Sequence, residues 1–384
     1  MYRSLLTAPK SPSIATVARY AYLNTLVSAL SGRLLSAGQL QELVEQSVTD
    51  ATVLLRAAGL ETISLEEMED RSLEQGLVDT LLVEAQRLIR PLDSEAQELV
   101  SYWLRRFEIG NLKAVVRGKL TGRSKEAIQA DFIDIGAMTA LPLNALMDAE
   151  DAQEMLGCLE RTPYAGIAHQ ARSVYGERYE LPHHGEDREL FLIEATIDRE
   201  YYAGLDQRMK AIQEELDHYY LQPLVGHLID KINLVWLLRY RFAYRLASPL
   251  TYFLLCPGGY YLSSSHLLAL VGAENFEEAL RRVPAPLEPL VAGAISASEV
   301  EDRLGKHLLG VARFILKRTR FNLGRALAYL FLREKELLHL YGVIKGRTLQ
   351  LAPHLIRQAV WLTDDSASFR EGKTFQSLAG GMAR

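Results

Sequence analysis

A metal or nucleophile site in this chain would have to be built from nine histidines and two cysteines, and neither group is spaced for it. His183 and His184 are adjacent, so their imidazoles project in different directions, and no third ligand is placed by spacing; an exposed loop accounts for them better than a metal. His218 and His227 could share a face of one helix, but the carboxylate spacing of a metalloprotease does not accompany them. Cys158 and Cys256 are too far apart in sequence for a short redox or zinc pair and read as small core residues in a reducing compartment. Glu194, Asp198 and Glu200 could do acid or base work, but a solvated helical face with near-neighbour salt bridges explains them as well or better. Gly-Lys occurs at Gly118-Lys119, Gly305-Lys306 and Gly372-Lys373 without the preceding glycines of a phosphate loop, which argues against nucleotide hydrolysis. No catalytic residue, metal or cofactor is assigned.

Charge narrows the partners. Forty-three basic against 48 acidic side chains leave a net charge of -5, which offers no global field for a polyphosphate backbone, so nucleic acid is not an expected partner. Trp236, Tyr240, Phe242 and Tyr244 interleave with Arg239, Arg241 and Arg245, a cluster able to stack on bases or meet lipid headgroups. In an acidic chain, packing plus a protein contact is the better reading.

The informative chemistry is repeated. An acid is followed three residues later by Asn or His, then Leu, two aliphatics, a base, any residue and a second base. The copies begin at Glu108, Asp230 and Glu336; the amide position holds Asn111, Asn233 and His339, and the first base is Arg117, Arg239 and Lys345. On a helix the acid and amide border an apolar stripe, Ile109, Leu112, Val115 and Val116 in the first copy, while Arg117 turns toward the opposite face. Glu and Asn in such places satisfy backbone or neighbouring groups at a helix junction, and three identical trios suggest shared architecture more than three active sites.

The elements that position these residues are helical throughout. Apolar residues recur at three- and four-residue spacing, and sustained period-two alternation is absent. Residues 246–273 contain no charged side chain, but Pro249, Pro257, Gly258 and Gly259 interrupt the stretch, so two short helices joined by a turn are expected rather than a membrane span. Met1 to Lys10 lack a long apolar stretch and a small-residue cleavage site, so a secretory signal is not expected. A glycine follows each Asn by 25 or 26 residues (Gly136 after Asn111, Gly259 after Asn233). Leu43-Val44, Leu146-Met147 and Leu270-Val271 open helix-like runs before each signature, with the middle unit lengthened by a polar stretch at 175–188. Three helical units follow, 1–130, 131–255 and 256–365, with a loose tail at 366–384.

Tyr20-Ala21-Tyr22-Leu23-Asn24, Leu34-Leu35, the Asn111-Leu112 and Asn233-Leu234 signatures, Glu194 to Tyr202, and Ala328 to Glu336 together resemble the C-subunit family of V-type/A-type ATPases, whose eukaryotic members are the d subunits of proton pumps. The sequence departs from that pattern at Thr25-Leu26 and His339, and in the length of 175–188. The resemblance implies an all-α, funnel-shaped body of three pseudo-threefold-related bundles, peripheral on the cytoplasmic face of the membrane. It implies a non-catalytic rotor subunit between the central stalk and the proteolipid ring, passing torque for proton or sodium transport, and a central depression; because Arg117, Arg239 and Lys345 face away from their own apolar stripes, some of them are expected to line it. A soluble helical scaffold for an unrelated protein is the alternative.

Overall fold

The computed structural model describes residues 12–46, 48–60, 63, 70–176 and 186–360. The tail at 366–384, His183 and His184, and the centre of the polar stretch lie outside them; the flanks of that stretch are helical, since one helix runs through Gly176 and the next begins at Glu186.

All regular structure among the described residues is helical. The first third holds α1 (Ile14–Ser31), α2 (Ala37–Glu45), α3 (Val48–Ala57), α4 (Asp70–Ile89), α5 (Ser94–Leu104), α6 (Arg106–Leu120) and α7 (Lys125–Gln129). Next come α8 (Leu143–Asp148), α9 (Ala152–Leu159), α10 (Ala165–Gly176), α11 (Glu186–Ala211) and α12 (Glu215–Leu238). The last part is α13 (Ser248–Leu254), α14 (Ser264–Val271), α15 (Phe276–Arg281), α16 (Glu288–Val291), α17 (Ala297–Arg318), α18 (Leu323–Thr348) and α19 (Pro353–Ala359). The uncharged segment therefore forms α13 and α14 joined by a turn, and no described helix is long and apolar enough to cross a membrane.

Helix starts follow local chemistry. Ser13, Ser36, Asp93, Ser124, Asp151, Ser263, Asn275, Ser296 and Asn322 each accept a hydrogen bond from a first-turn backbone N–H. Ser36 and Ser263 complete capping boxes with Gln39 and His266, marking α2 and α14 as counterparts.

The three signature helices α6, α12 and α18 run through the interior, and the apolar stripe of the first copy is buried in full. One core extends from Tyr20 to Val360 and a second gathers α14 to α17 against the end of α12. Charge is buried as well: Arg333 on α18 is fully enclosed and donates to both oxygens of Glu84 on α4 at 3.0 and 3.1 Å, to Glu336 at 2.5 Å and to the Ala58 carbonyl at 2.9 Å. Tyr329 donates to the same Glu84 at 2.6 Å. A second tie runs through Asp217 on α12, which accepts from Tyr20 of α1 and from the Leu323 backbone N–H that opens α18. The chain's last long helix is thereby held to its first quarter.

Replacing Arg333 with Met would leave Glu84 and Glu336 enclosed without their cation. The expected cost is about 3–5 kcal/mol, read as a lower urea midpoint with an unchanged m-value; a loss under 1 kcal/mol would show that water reaches the cluster.

Candidate functional site

The acids of the three signatures do one job. Glu108 accepts from the backbone N–H groups of Ala140 and Leu141, and also from the Tyr164 hydroxyl. Asp230 accepts from the N–H groups of Tyr260, Tyr261 and Leu262 at 3.1, 2.8 and 2.9 Å. Glu336 accepts from the N–H of Leu35. Leu141, Leu262 and Leu35 each immediately precede the N-cap of a short helix, α8, α14 and α2. A carboxylate there meets amides that no helix turn can satisfy, beside the positive end of the helix. Glycine is required where the loop closes most tightly: Gly259 has φ 127°, and a Cβ on it would lie 2.5 Å from an Asp230 oxygen.

The amides do a second job. Asn111 donates to the Ile133 carbonyl and accepts from the Ile133 N–H, both at 2.8 Å. Asn233 repeats this with Cys256, donating at 3.0 Å and accepting at 2.8 Å. A side-chain amide is the smallest group that can mimic a peptide in both directions. His339 carries its donor and acceptor on ring nitrogens that point apart, so it cannot return both bonds to a single residue; burial, with Lys335 nearby, pushes its imidazole down to about 4, so it is neutral.

The first bases diverge. Arg117 and Arg239 line a cavity of about 410 Å³, while Lys345 is not among its lining residues. All three signature helices reach the cavity: Arg106, Leu228 and Glu334, each two residues before a signature acid, all face it. Its other walls come from α11 and from Glu301 of α17. A single π-turn at Arg239–Ala243 ends α12 and carries Tyr240 onto the wall, followed by Tyr244.

Ion pairs cross the cavity wall from helix to helix. Arg106 meets Glu334 at 2.7 Å, Lys113 meets Asp198 at 2.8 Å, Arg117 meets Glu194 at 2.6 Å, and Arg239 meets Glu301. The acid-rich stretch of α11 is thus not the solvated, self-paired face expected from its sequence. Two of its three acids bond across to α6, and only Glu200 pairs with a neighbour, Arg199. Their partners lie 77 and 85 residues away in the chain, too far for helical spacing to signal. The aromatic and basic cluster divides as well: Trp236, Tyr240 and Tyr244 face the cavity, while Arg241 donates to the Val271 and Leu246 carbonyls at 2.9 and 2.6 Å.

Lys231, one residue after the second signature acid, also lines the cavity, where burial and the nearby Lys335 push its ammonium down to about 7. Burial depresses Lys335 too, with Glu334 opposing. Sequence reading missed Arg106, Lys113, Lys231 and Lys335; the recurrent position two before each acid was the available signal for the cavity-facing stripe. No group of three or more potential metal ligands occurs among the described residues. His227 instead packs against the Tyr260, Tyr261 and His307 rings at 4.6, 5.2 and 4.9 Å.

Comparison with known proteins places the chain in a family. Residues 23–359 match the profile of the ATP synthase (C/AC39) subunit family. The chain is 24% identical over 357 residues to the A-type ATP synthase C subunit of Methanocaldococcus jannaschii, covering 90% of this chain and 86% of that protein. It is 24% identical over 344 residues to the A-type ATP synthase C subunit of Methanosarcina mazei, covering 88% and 91%, and 24% over 363 residues to that of Pyrococcus abyssi, covering 89% and 90%.

Asn111→Leu would strand the buried Ile133 N–H and carbonyl, so a loss on the order of 3 kcal/mol is expected in chemical denaturation; a neutral result would mean water replaces the amide. Burial, with His307 beside it, pushes His227 down to about 3, so the folded chain binds fewer protons there than the unfolded chain. Its contribution is complete above about pH 6.5 and falls with pH toward 3, by up to about 1.4 kcal/mol per unit. His227→Phe should flatten that slope in a pH series of denaturation curves; an unchanged slope would assign it elsewhere.

Proposed function

The chain belongs to the ATP synthase (C/AC39) subunit family, and on that premise we propose that it is the non-catalytic central-rotor subunit of an A/V-type ATP synthase. It sits between the central stalk and the membrane proteolipid ring, peripheral on the cytoplasmic face, and passes torque between ATP turnover and proton or sodium movement. The three signature helices each anchor one unit of a funnel with pseudo-threefold symmetry, in chain segments 1–130, 131–255 and 256–365. The tip of the stalk enters the depression at its centre.

The observation that carries this reading is the convergence of α6, α12 and α18 on one cavity walled by ion pairs and aromatic rings. A torque-bearing socket needs a wall that does not yield. Interhelical ion pairs between half-buried groups, braced by closely packed helices of low compressibility, supply one. It must also release and rebind its shaft, for which a polar lining suits better than an apolar one. Arg117 and Arg239 are the signature bases placed to meet the stalk.

The test is binding of the purified chain to the cognate central-stalk subcomplex. Arg117→Glu combined with Arg239→Glu is expected to weaken binding at least tenfold, while Lys345→Glu, outside the cavity lining, stays near the unmodified value. Intact binding in the double variant rejects the socket. Native mass spectrometry of the membrane complex should also find one copy of this chain with stalk and ring subunits; its absence there would leave a free-standing scaffold as the function.

A further inference from the structure

The three signature helices do not end alike. Counting from the signature acid, the chain turns into positive φ at the fourteenth residue after α6 and α18, Gly122 and Gln350, but at the fifteenth after α12, Arg245. The hydrogen bonds that close the ends agree. Arg123 N–H to the Gly118 carbonyl (2.8 Å) and Leu351 N–H to the Gly346 carbonyl (2.9 Å) each reach back five residues. Leu246 N–H to the Tyr240 carbonyl (2.8 Å) reaches back six. The middle helix therefore carries one extra residue, and the π-turn at Arg239–Ala243 absorbs it, with Tyr244 N–H donating to the Arg239 carbonyl at 2.8 Å.

The side chains at this joint differ as well. The tenth residue after the acid is Gly118 in α6 and Gly346 in α18, where a Cβ would run into Ile128 of α7 or Ile356 of α19. In α12 it is Tyr240, which packs among Leu246, Leu250 and Leu254. Among the described residues lining the cavity, the last from α6 is Arg117 and the last from α18 is Lys335, whereas the end of α12 adds both Tyr240 and Tyr244. Tyr244 is half exposed yet held from behind. Its ring lies 6.4 Å from Tyr240, which lies 6.1 Å from Trp236, and Phe191 of α11 stands edge-on to both tyrosines at 5.2 Å. One turn along α11 from Phe191, Glu194 pairs with the half-exposed Arg117.

From this asymmetry we propose that the stalk seats on the middle unit, with the open face of Tyr244 as the anchor for an apolar side chain of the stalk tip. The inference rests on the socket reading above and adds which unit makes the contact and what chemistry it takes. A cation placed on the ring would stand near Arg117, and a carboxylate would meet the negative face of the ring. An apolar side chain meets neither penalty and removes exposed ring surface from water. A ring already braced by two others loses little rotamer freedom on binding, which suits it to an interface anchor.

The experiment measures affinity of the full chain for the cognate central-stalk subcomplex at low and high salt. Tyr244→Ala is expected to weaken binding about tenfold or more, equally at both salt concentrations, with Tyr244→Phe restoring it. Leu349→Ala, at the matching place after α18 once the extra residue is allowed for, should leave affinity unchanged. An equal loss from Leu349→Ala would overturn the assignment to the middle unit. A Tyr244→Ala loss that disappears at high salt would overturn the apolar contact, since the ring would then act only by placing Arg117. Unchanged affinity in Tyr244→Ala, with Arg117→Glu and Arg239→Glu still weakening it, would overturn the anchor and leave the socket in place. Failure of the unmodified chain to bind any stalk subunit would overturn the socket reading, and this inference with it.

Discussion

The structure depends on a carboxylate meeting the backbone amides ahead of a helix, and above all on the one link of this kind that joins the chain's end to its beginning. Glu336 accepts from Leu35 across 301 residues. Two similar links, from Glu108 and Asp230, span only about thirty residues and join each signature to the segment that follows it. The third reaches back to the start of the chain instead. That ties the last long helix back to the first residues of the fold, and loop-closure entropy makes it a far more costly contact to form than the two local links.

This explains why charge is buried so heavily around α18. Glu336 is enclosed, which raises its proton affinity, and Arg333 beside it counters by donating to both Glu336 and Glu84. A buried ion network of this sort adds little net stability over apolar packing, but it admits only one register of α18 against α4 and α2. A one-residue slip would separate Arg333 from Glu84 and Glu336 from the Leu35 amide at once. Specificity of closure, rather than strength, is what the cluster contributes.

Closure in turn creates the cavity. Each signature helix directs its acid to a backbone segment on one side, and the position two residues earlier lies on another side, where Arg106, Leu228 and Glu334 line the cavity from three helices. The ion pairs of the wall lie between the exposed surface and the core, with Arg117 half exposed and Glu301 enclosed. Packing of that kind resists shear because every displacement breaks a directional contact.

Much of this was legible in the residues. Helical periodicity, the interrupted uncharged segment, the threefold signature and the junction role of its acid and amide all follow from local spacing, because a helix puts residues three and four apart on one side whatever surrounds it. Gly136 and Gly259, which follow the Asn by 25 and 26 residues, both take positive φ, which the spacing alone did not indicate. What spacing could not reveal is which chain segments meet. The partners of Glu194 and Asp198 lie on α6, so an acidic helix that looks self-sufficient in sequence faces inward. Lys345 repeats the position of Arg117 and Arg239 yet lies outside the cavity lining. Contact between residues far apart in the chain is settled by how helices pack, a matter of shape and burial summed over the whole molecule. Local sequence therefore determined the helices and the groups that cap them, and only the tertiary structure decided which side chains line the cavity.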